Sequence, residues 1–192
     1  MSKSCPCFTC DGHCCKELHV PVNGADLLRL HNGVPGTISD WCAMEPLSEG
    51  LQGYATFGFH LYPDERFFLL CLKRLEGVCV FANFQKHGEA CMAHAWRPGV
   101  CRSYPISFNS GNPRQTPGCL CPQPWQLSEA DELAFSKVFH QYNADFAEFK
   151  EFLRIWERTL RPPLLQAKKL SGNQSQDAAL FFTALQKALF PR

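Results

Sequence analysis

The first helical periodicity along the chain falls just after Asn23, where Leu27, Leu28 and Leu30 share one apolar side. Asn23 offers an N-cap oxygen and Gly33 a stop, so the pattern predicts a short helix over residues 24–32. Further on the apolar positions become continuous. Phe67-Phe68-Leu69-Leu70-Cys71-Leu72 reads as a buried strand and makes Cys71 a packing residue. Cys42, next to Trp41 and far from other thiols, is read the same way. Residues 66–73 and 78–83, joined by a turn at Leu75-Glu76-Gly77, are expected to pair as a β-hairpin that carries Cys79 into the core.

From Ser128 the period changes. Ser128 and Asp131 have the spacing of a capping box, and apolar residues then recur at Phe135, Phe139, Tyr142, Phe146, Phe149, Leu153, Trp156 and Leu160. This is one long helical stripe, long enough to leave room for a break near Asn143, and Arg161-Pro162-Pro163 is expected to end it. Residues 166–176 are polar and linker-like, and 177–190 predict a last amphipathic helix carrying Leu180, Phe181, Ala184, Leu185 and Leu189. An apolar helical face normally exists to be buried, so packing is the expected use of the stripe; a ligand box or partner groove is the other. The fold class that follows is α+β. An irregular, metal-stapled cysteine domain with a β-hairpin covers 1–126, and C-terminal helices over 127–192 pack on the same core.

Composition narrows the function. With 192 residues, 45% hydrophobic and 19% charged, the chain is sized for a globular domain, and its formal net charge of +1 gives no bulk attraction to nucleic acid or anionic lipid. The N-terminus has no apolar run of the signal-peptide kind, and no stretch approaches the roughly 18 apolar residues of a membrane span. The expected location is the cytoplasm, where thiols stay reduced. Twelve cysteines then require an explanation other than disulfides.

Ten of them are clustered. Cys5, Cys7, Cys10, Cys14 and Cys15 are five thiols within eleven residues, a density that invites thiolate repulsion and oxidation unless a cation sits among the sulfurs. Cys7 and Cys10 have Cys-x2-Cys spacing, Gly12 relaxes the backbone, and the Cys14-Cys15 pair follows. Adjacent cysteines rarely point the same way, so both serving one mononuclear zinc is awkward. The second group is Cys79, Cys91, Cys101, Cys119 and Cys121, set in loop-forming residues with little regular structure to hold them without an internal staple.

The order of these elements resembles the YkgJ-like cysteine-cluster family of zinc- or iron-chelating domains. The matching residues are Cys7, Cys10, Cys14 and Cys15; Cys79; Cys91; Arg97-Pro98, Cys101-Arg102 and Tyr104-Pro105; and Cys121-Pro122. The resemblance covers about residues 7–130 and implies that these eight cysteines are metal ligands, with Cys121 chosen over Cys119 because Pro122 follows it. It departs in placing three residues, not two, between Cys10 and Cys14. That longer form is similar to the cysteine region of the flagellin lysine-N-methylases, including a segment like Val20-Pro21-Val22-Asn23. Those enzymes are larger, and no glycine-rich nucleotide fingerprint appears in this chain.

Three functions compete. The first is an iron-sulfur protein, with a 4Fe-4S form among its candidates, acting in electron transfer or redox sensing. The second is a zinc-stapled module that presents a surface to a protein partner; the third, resting on the resemblance alone, is a protein methylase-type enzyme. The thiols outnumber the four that one zinc needs, which favours iron-sulfur. Arg97 and Arg102 flank Cys101 and are candidates to offset thiolate charge at the cofactor, and His94, or less so His13, is a candidate to replace a thiol in a mixed zinc site. No Ser-His-Asp, paired-carboxylate or phosphate-loop arrangement points to other catalysis.

Overall fold

Asn23 does cap a helix, and the elements around it show how the short N-terminal pieces are anchored. The computed structural model describes residues 12–62, 66–83, 91–109, 112–121, 127–167, 169–170 and 172–190. Helix α1 (His13–Glu17) is entered from Gly12, whose φ of 69° lies in the left-handed region that favours glycine. In α2 (Gly24–His31) the Asn23 Oδ1 accepts from the Asp26 amide at 2.9 Å, and the Asp26 carboxylate accepts from the Asn23 amide at 3.3 Å. This reciprocal pair satisfies amide donors that a helix start leaves open. A second capping box between Thr37 and Asp40 starts α3 (Ile38–Trp41), which runs into β1 (Cys42–Pro46).

The apolar run becomes the middle of a sheet. After a 3-10 helix over Glu49–Phe57, β2 (Phe59–His60) and β1 flank β3 (Phe67–Leu72) in the order β1-β3-β2, all antiparallel, with Cys42 opposite Leu72 and Ala43 opposite Cys71. Residues 20–22 extend the same ladder, since the Val22 amide donates to Leu70 and the Leu72 amide to Val20, each at 2.9 Å. Every residue from Phe68 to Leu72 is buried, as a continuous apolar strand requires. Cys42 and Cys71 are fully buried here among packing residues.

The expected hairpin is present but shorter. The turn at Glu76 (φ 50°) and Gly77 (φ 81°) joins β4 (Arg74–Leu75) to β5 (Val78–Cys79), while β3 belongs to the other sheet. Two positive-φ residues make a tight turn that fixes pairing to its immediate flanks, Arg74 with Cys79 and Leu75 with Val78. Beyond α4 (Gly99–Ser103), strands β6 (Ile106–Asn109) and β7 (Asn112–Gln115) form a further hairpin within a segment expected to be irregular. Ile106-Ser107-Phe108-Asn109 does alternate, over four residues only, while Asn112-Pro113-Arg114-Gln115 has no apolar alternation, so the sequence carried a strand signal for one half of the hairpin alone.

Helix α5 (Glu129–Ile155) begins at the Ser128–Asp131 capping box and passes Asn143 without a break. Pro162 and Pro163 do not end the helical run. A π-helical turn over Trp156–Leu160, closed by the Arg161 amide on the Trp156 carbonyl, leads into α6 (Arg161–Gln166), and the prolines occupy its first turn. There the missing N–H groups cost nothing, because first-turn amides have no intrahelical partner. Helix α7 (Gln174–Leu189) completes the chain's regular structure.

One hydrophobic core joins these parts. Phe146, Phe149, Leu153 and Trp156 of α5 and the adjoining turn are buried with Phe181 and Leu185 of α7 against the sheet and α2. Phe181 stacks on Phe59 at 4.3 Å between ring centroids and meets Trp156 edge-on at 5.0 Å. The Trp156 indole N–H finds the His60 carbonyl at 3.2 Å, so the ring is buried without an orphaned donor. Phe139 and Tyr142, in the same predicted stripe, are only half-buried, and Tyr142 meets the core edge-on at Phe146. Among the described residues no helix is long and apolar enough to cross a membrane.

Candidate metal centre

Cys14 and Cys15 lie on α1, a helix too short to be stable alone, and one arginine holds it. Arg74 Nη1 donates to the Leu18 carbonyl at 2.6 Å, and its Nη2 reaches the carbonyls of Lys16 and Gly77. A guanidinium thus satisfies backbone acceptors at the C-terminal end of α1 and at the hairpin turn together, fixing Cys14 and Cys15 next to Cys79. Cys91 is placed by a backbone bridge to Ala82, and the Met92 amide donates to Phe81 at 2.8 Å. Cys101 rides on α4. The Gly99 amide at the start of α4 donates to Asp26 Oδ1 at 2.8 Å, and the same oxygen accepts from Arg29 at 2.6 Å. Arg29 also lies 3.7 Å from Asp145 of α5, so α2, α4 and α5 are tied through one fully buried carboxylate.

These segments meet around one cavity of about 730 Å3. Cys14, Cys15, Cys79, Cys91 and Cys101 all line it, together with His94 and the buried Arg97. The Cys14 and Cys15 sulfurs are 4.0 Å apart and both face the cavity, contrary to the expectation that neighbouring cysteines diverge. The short helix brings both thiols to its inner side, where each is partly buried.

The thiols sense one another electrostatically. Cys14 is lowered to about 7, chiefly by a hydrogen bond from Cys15, whose own thiol is pushed up by that same bond and by burial. Burial raises Cys91 to about 11, with Cys79 and Cys14 adding to it while Arg97 opposes. Cys79 is raised and Cys101 is raised well above the usual thiol range, again mainly by burial, with the other thiols adding to it. Ionising the whole set therefore needs more positive charge than Arg97 brings, and a bound cation would supply it.

The other predicted residues are placed as follows. Cys7 and Cys10 lie outside the described residues, as does Pro122. Cys119 and Cys121 are half-buried and do not line the cavity. They adjoin Tyr104, which does, and whose phenol, pushed up to about 12 chiefly by burial, feels Cys119, Cys14 and Cys121. The Tyr104 oxygen accepts from the Leu120 amide at 2.7 Å, and Cys119 Sγ accepts from Gln115 at 3.0 Å. Arg97 Nε donates to the His94 carbonyl at 3.0 Å, which fixes the guanidinium in the loop before Cys101. Arg102 lies at the surface and is absent from the lining; partial desolvation of its guanidinium, then the charges of Arg29 and Arg97, lowers its pKa. His13 is exposed. The sequence did not reveal Arg74 and Asp26 as anchors of the site. Only Asp26, three residues after Asn23 in capping-box spacing, carried a signal of its own.

A thiol-rich, partly buried donor set with an adjacent arginine fits zinc and iron-sulfur chemistry. Among the described residues, however, no three Cys, His, Asp or Glu side chains close on one point as a finished metal site. The thiols share a cavity rather than a formed ligand cage. No curated protein and no solved structure matches the chain. The model of the CxxCxxCC family, described as a "putative zinc- or iron-chelating domain", matches residues 6–122, more than half of the chain and both cysteine groups, and the protein belongs to that family.

Proposed function

We propose that the protein binds iron-sulfur, each cluster on four thiolates drawn from Cys7, Cys10, Cys14, Cys15, Cys79, Cys91, Cys101 and Cys121, and serves electron transfer or redox sensing. The observation that carries this reading is the gathering of five thiols from distant segments on one cavity, a sulfur-dominated donor set of the kind that iron-sulfur clusters take, four thiolates to a cluster. A bound cluster would supply one-electron exchange. The chain's own contribution is to hold sulfur around the cavity through Arg74 and Asp26 and to keep Arg97 beside it as an offsetting charge. Met92 and Trp96, large apolar side chains exposed next to Cys91, support contact with a protein partner.

The test is anaerobic purification followed by an absorption spectrum, metal analysis and sulfide determination. A brown protein with a broad visible band and acid-labile sulfide is expected. A colourless protein with stoichiometric zinc would sink the cluster and leave a zinc staple in its place. The metal should also stabilise the loops by an amount on the order of 10 kcal/mol, as in zinc-finger peptides. A strong chelator under reducing conditions should therefore abolish amide-exchange protection from Cys79 to Tyr104.

A further inference from the structure

Arg97 is a buried cation whose hydrogen-bonding capacity is mostly unspent. Only 8% of the residue is exposed, and its Nε–H is used on the His94 carbonyl at 3.0 Å. The terminal nitrogens Nη1 and Nη2 meet no acceptor among the described residues, yet neither is sealed from water. Their surroundings are the cavity, because Arg97 lines it and its positive charge is felt at Cys14, Cys91 and Cys101 on the same wall. A guanidinium that has lost most of its water and gained no acceptor is costly, which points to an anion that arrives with a ligand. Metal-bound thiolates take up part of this charge, and a guanidinium has N–H donors to spare for a second acceptor. The rest of the wall is largely apolar, with Val20, Leu51, Leu72, Phe81 and Phe139 beside the thiols. The volume of about 730 Å3 exceeds what a metal requires and falls in the range of small-molecule sites, about 300–1,000 Å3.

We infer that this cavity binds an apolar organic carboxylate, whose two oxygens accept hydrogen bonds from the terminal nitrogens of Arg97 while its hydrocarbon body packs on the aliphatic and aromatic wall. The planar fork of a guanidinium matches a carboxylate, and the pair strengthens where water is scarce. Among the described residues Arg97 is the only lysine or arginine on the wall, so the site suits a monoanion rather than a dianion such as a phosphate monoester. The inference rests on the cavity and Arg97 and stands whether the metal is a cluster or zinc.

The test uses the full chain as purified, titrated calorimetrically at neutral pH with octanoate and with 1-octanol, which has the same chain length and no charge. Saturable one-to-one binding of octanoate is expected, about ten- to a hundredfold tighter than that of 1-octanol, the effect of a hydrogen bond to a charged group. Acetate, which keeps the charge and lacks the hydrocarbon body, should bind about a hundredfold more weakly than octanoate or worse. Arg97→Gln should abolish the preference for octanoate while 1-octanol still binds, which shows that the cavity is intact. Arg158→Gln, which removes an exposed positive charge that does not line the cavity, should change neither affinity. Metal and sulfide measured on the same samples separate the two readings: Arg97-dependent octanoate binding in a zinc-loaded protein sinks the cluster and leaves the cavity site standing. Loss of metal in Arg97→Gln with the octanoate preference kept would place Arg97 on the metal centre alone. That result, or a wild type with no preference for octanoate over 1-octanol, would overturn the inference.

Discussion

Asp26→Ala perturbs the cysteine region without touching a thiol. The carboxylate accepts from the Asn23 amide at 3.3 Å, Arg29 at 2.6 Å and Gly99 at 2.8 Å. Alanine removes one half of a capping box, worth about 1 kcal/mol, and leaves the buried Gly99 amide without its acceptor, worth about 1–3 kcal/mol. Against this stands relief from burying the carboxylate, whose pKa burial raises above its ordinary 3.8 despite the opposing Gly99 and Arg29 donors. A net loss of about 2 kcal/mol is expected for Asp26→Ala. Asp26→Asn, which keeps an oxygen for Gly99, should lose under about 1 kcal/mol. The pH dependence has a definite sign. A carboxyl whose folded pKa is raised favours the fold most below 3.8 and loses that advantage as pH rises through the folded value, so Asn should gain on the wild type with rising pH. Urea unfolding at a series of pH values, with amide exchange at Gly99, measures both effects. If alanine costs no more than asparagine, or the wild type gains on asparagine as pH rises, Asp26 does not anchor α4 and hence Cys101.

Three further outcomes test other parts of the account. Trp156→Ala should cost about 4 kcal/mol in urea unfolding, because it empties a fully buried site against Phe181 and strands the His60 carbonyl; a loss under about 1 kcal/mol would mean that α5 and the sheet do not share a core. In metal-free, reduced protein Cys14 should be alkylated by iodoacetamide before Cys91, with its rate half-maximal near pH 7, while Cys91 should require a pH towards 11; peptide mass spectrometry that finds equal rates would refute the hydrogen bond assigned to Cys15. Cys71→Ala should cost about 1 kcal/mol and leave metal content unchanged, whereas Cys101→Ser should lower it sharply by elemental analysis, and the reverse pattern would contradict the division between packing and cavity thiols.

The sequence by itself determined the elements whose causes are local. Asn23 with Asp26 and Ser128 with Asp131 set helix starts, because a capping oxygen acts over only three residues. The unbroken apolar run at 67–72 was bound to be a strand covered on both sides, and Cys42 and Cys71 could be set apart as packing residues because they stand alone among apolar neighbours. Spacing and order also exposed the cysteine pattern. What spacing does not carry is direction, and tertiary structure decided it. Whether Cys14 and Cys15 face one way depends on how Arg74, sixty residues on, grips α1. Arg97 and Arg102 look equivalent around Cys101, yet the first is drawn into the cavity wall by the His94 carbonyl and the second is left at the surface. The prolines after α5 read as a stop, but a π-helical turn before them offset the ladder so that their missing donors fell where none was needed. The cavity had no sequence signature at all. It exists because α5 divides its aromatic stripe between the core and the sulfur-lined wall, and only long-range packing fixes where that division falls.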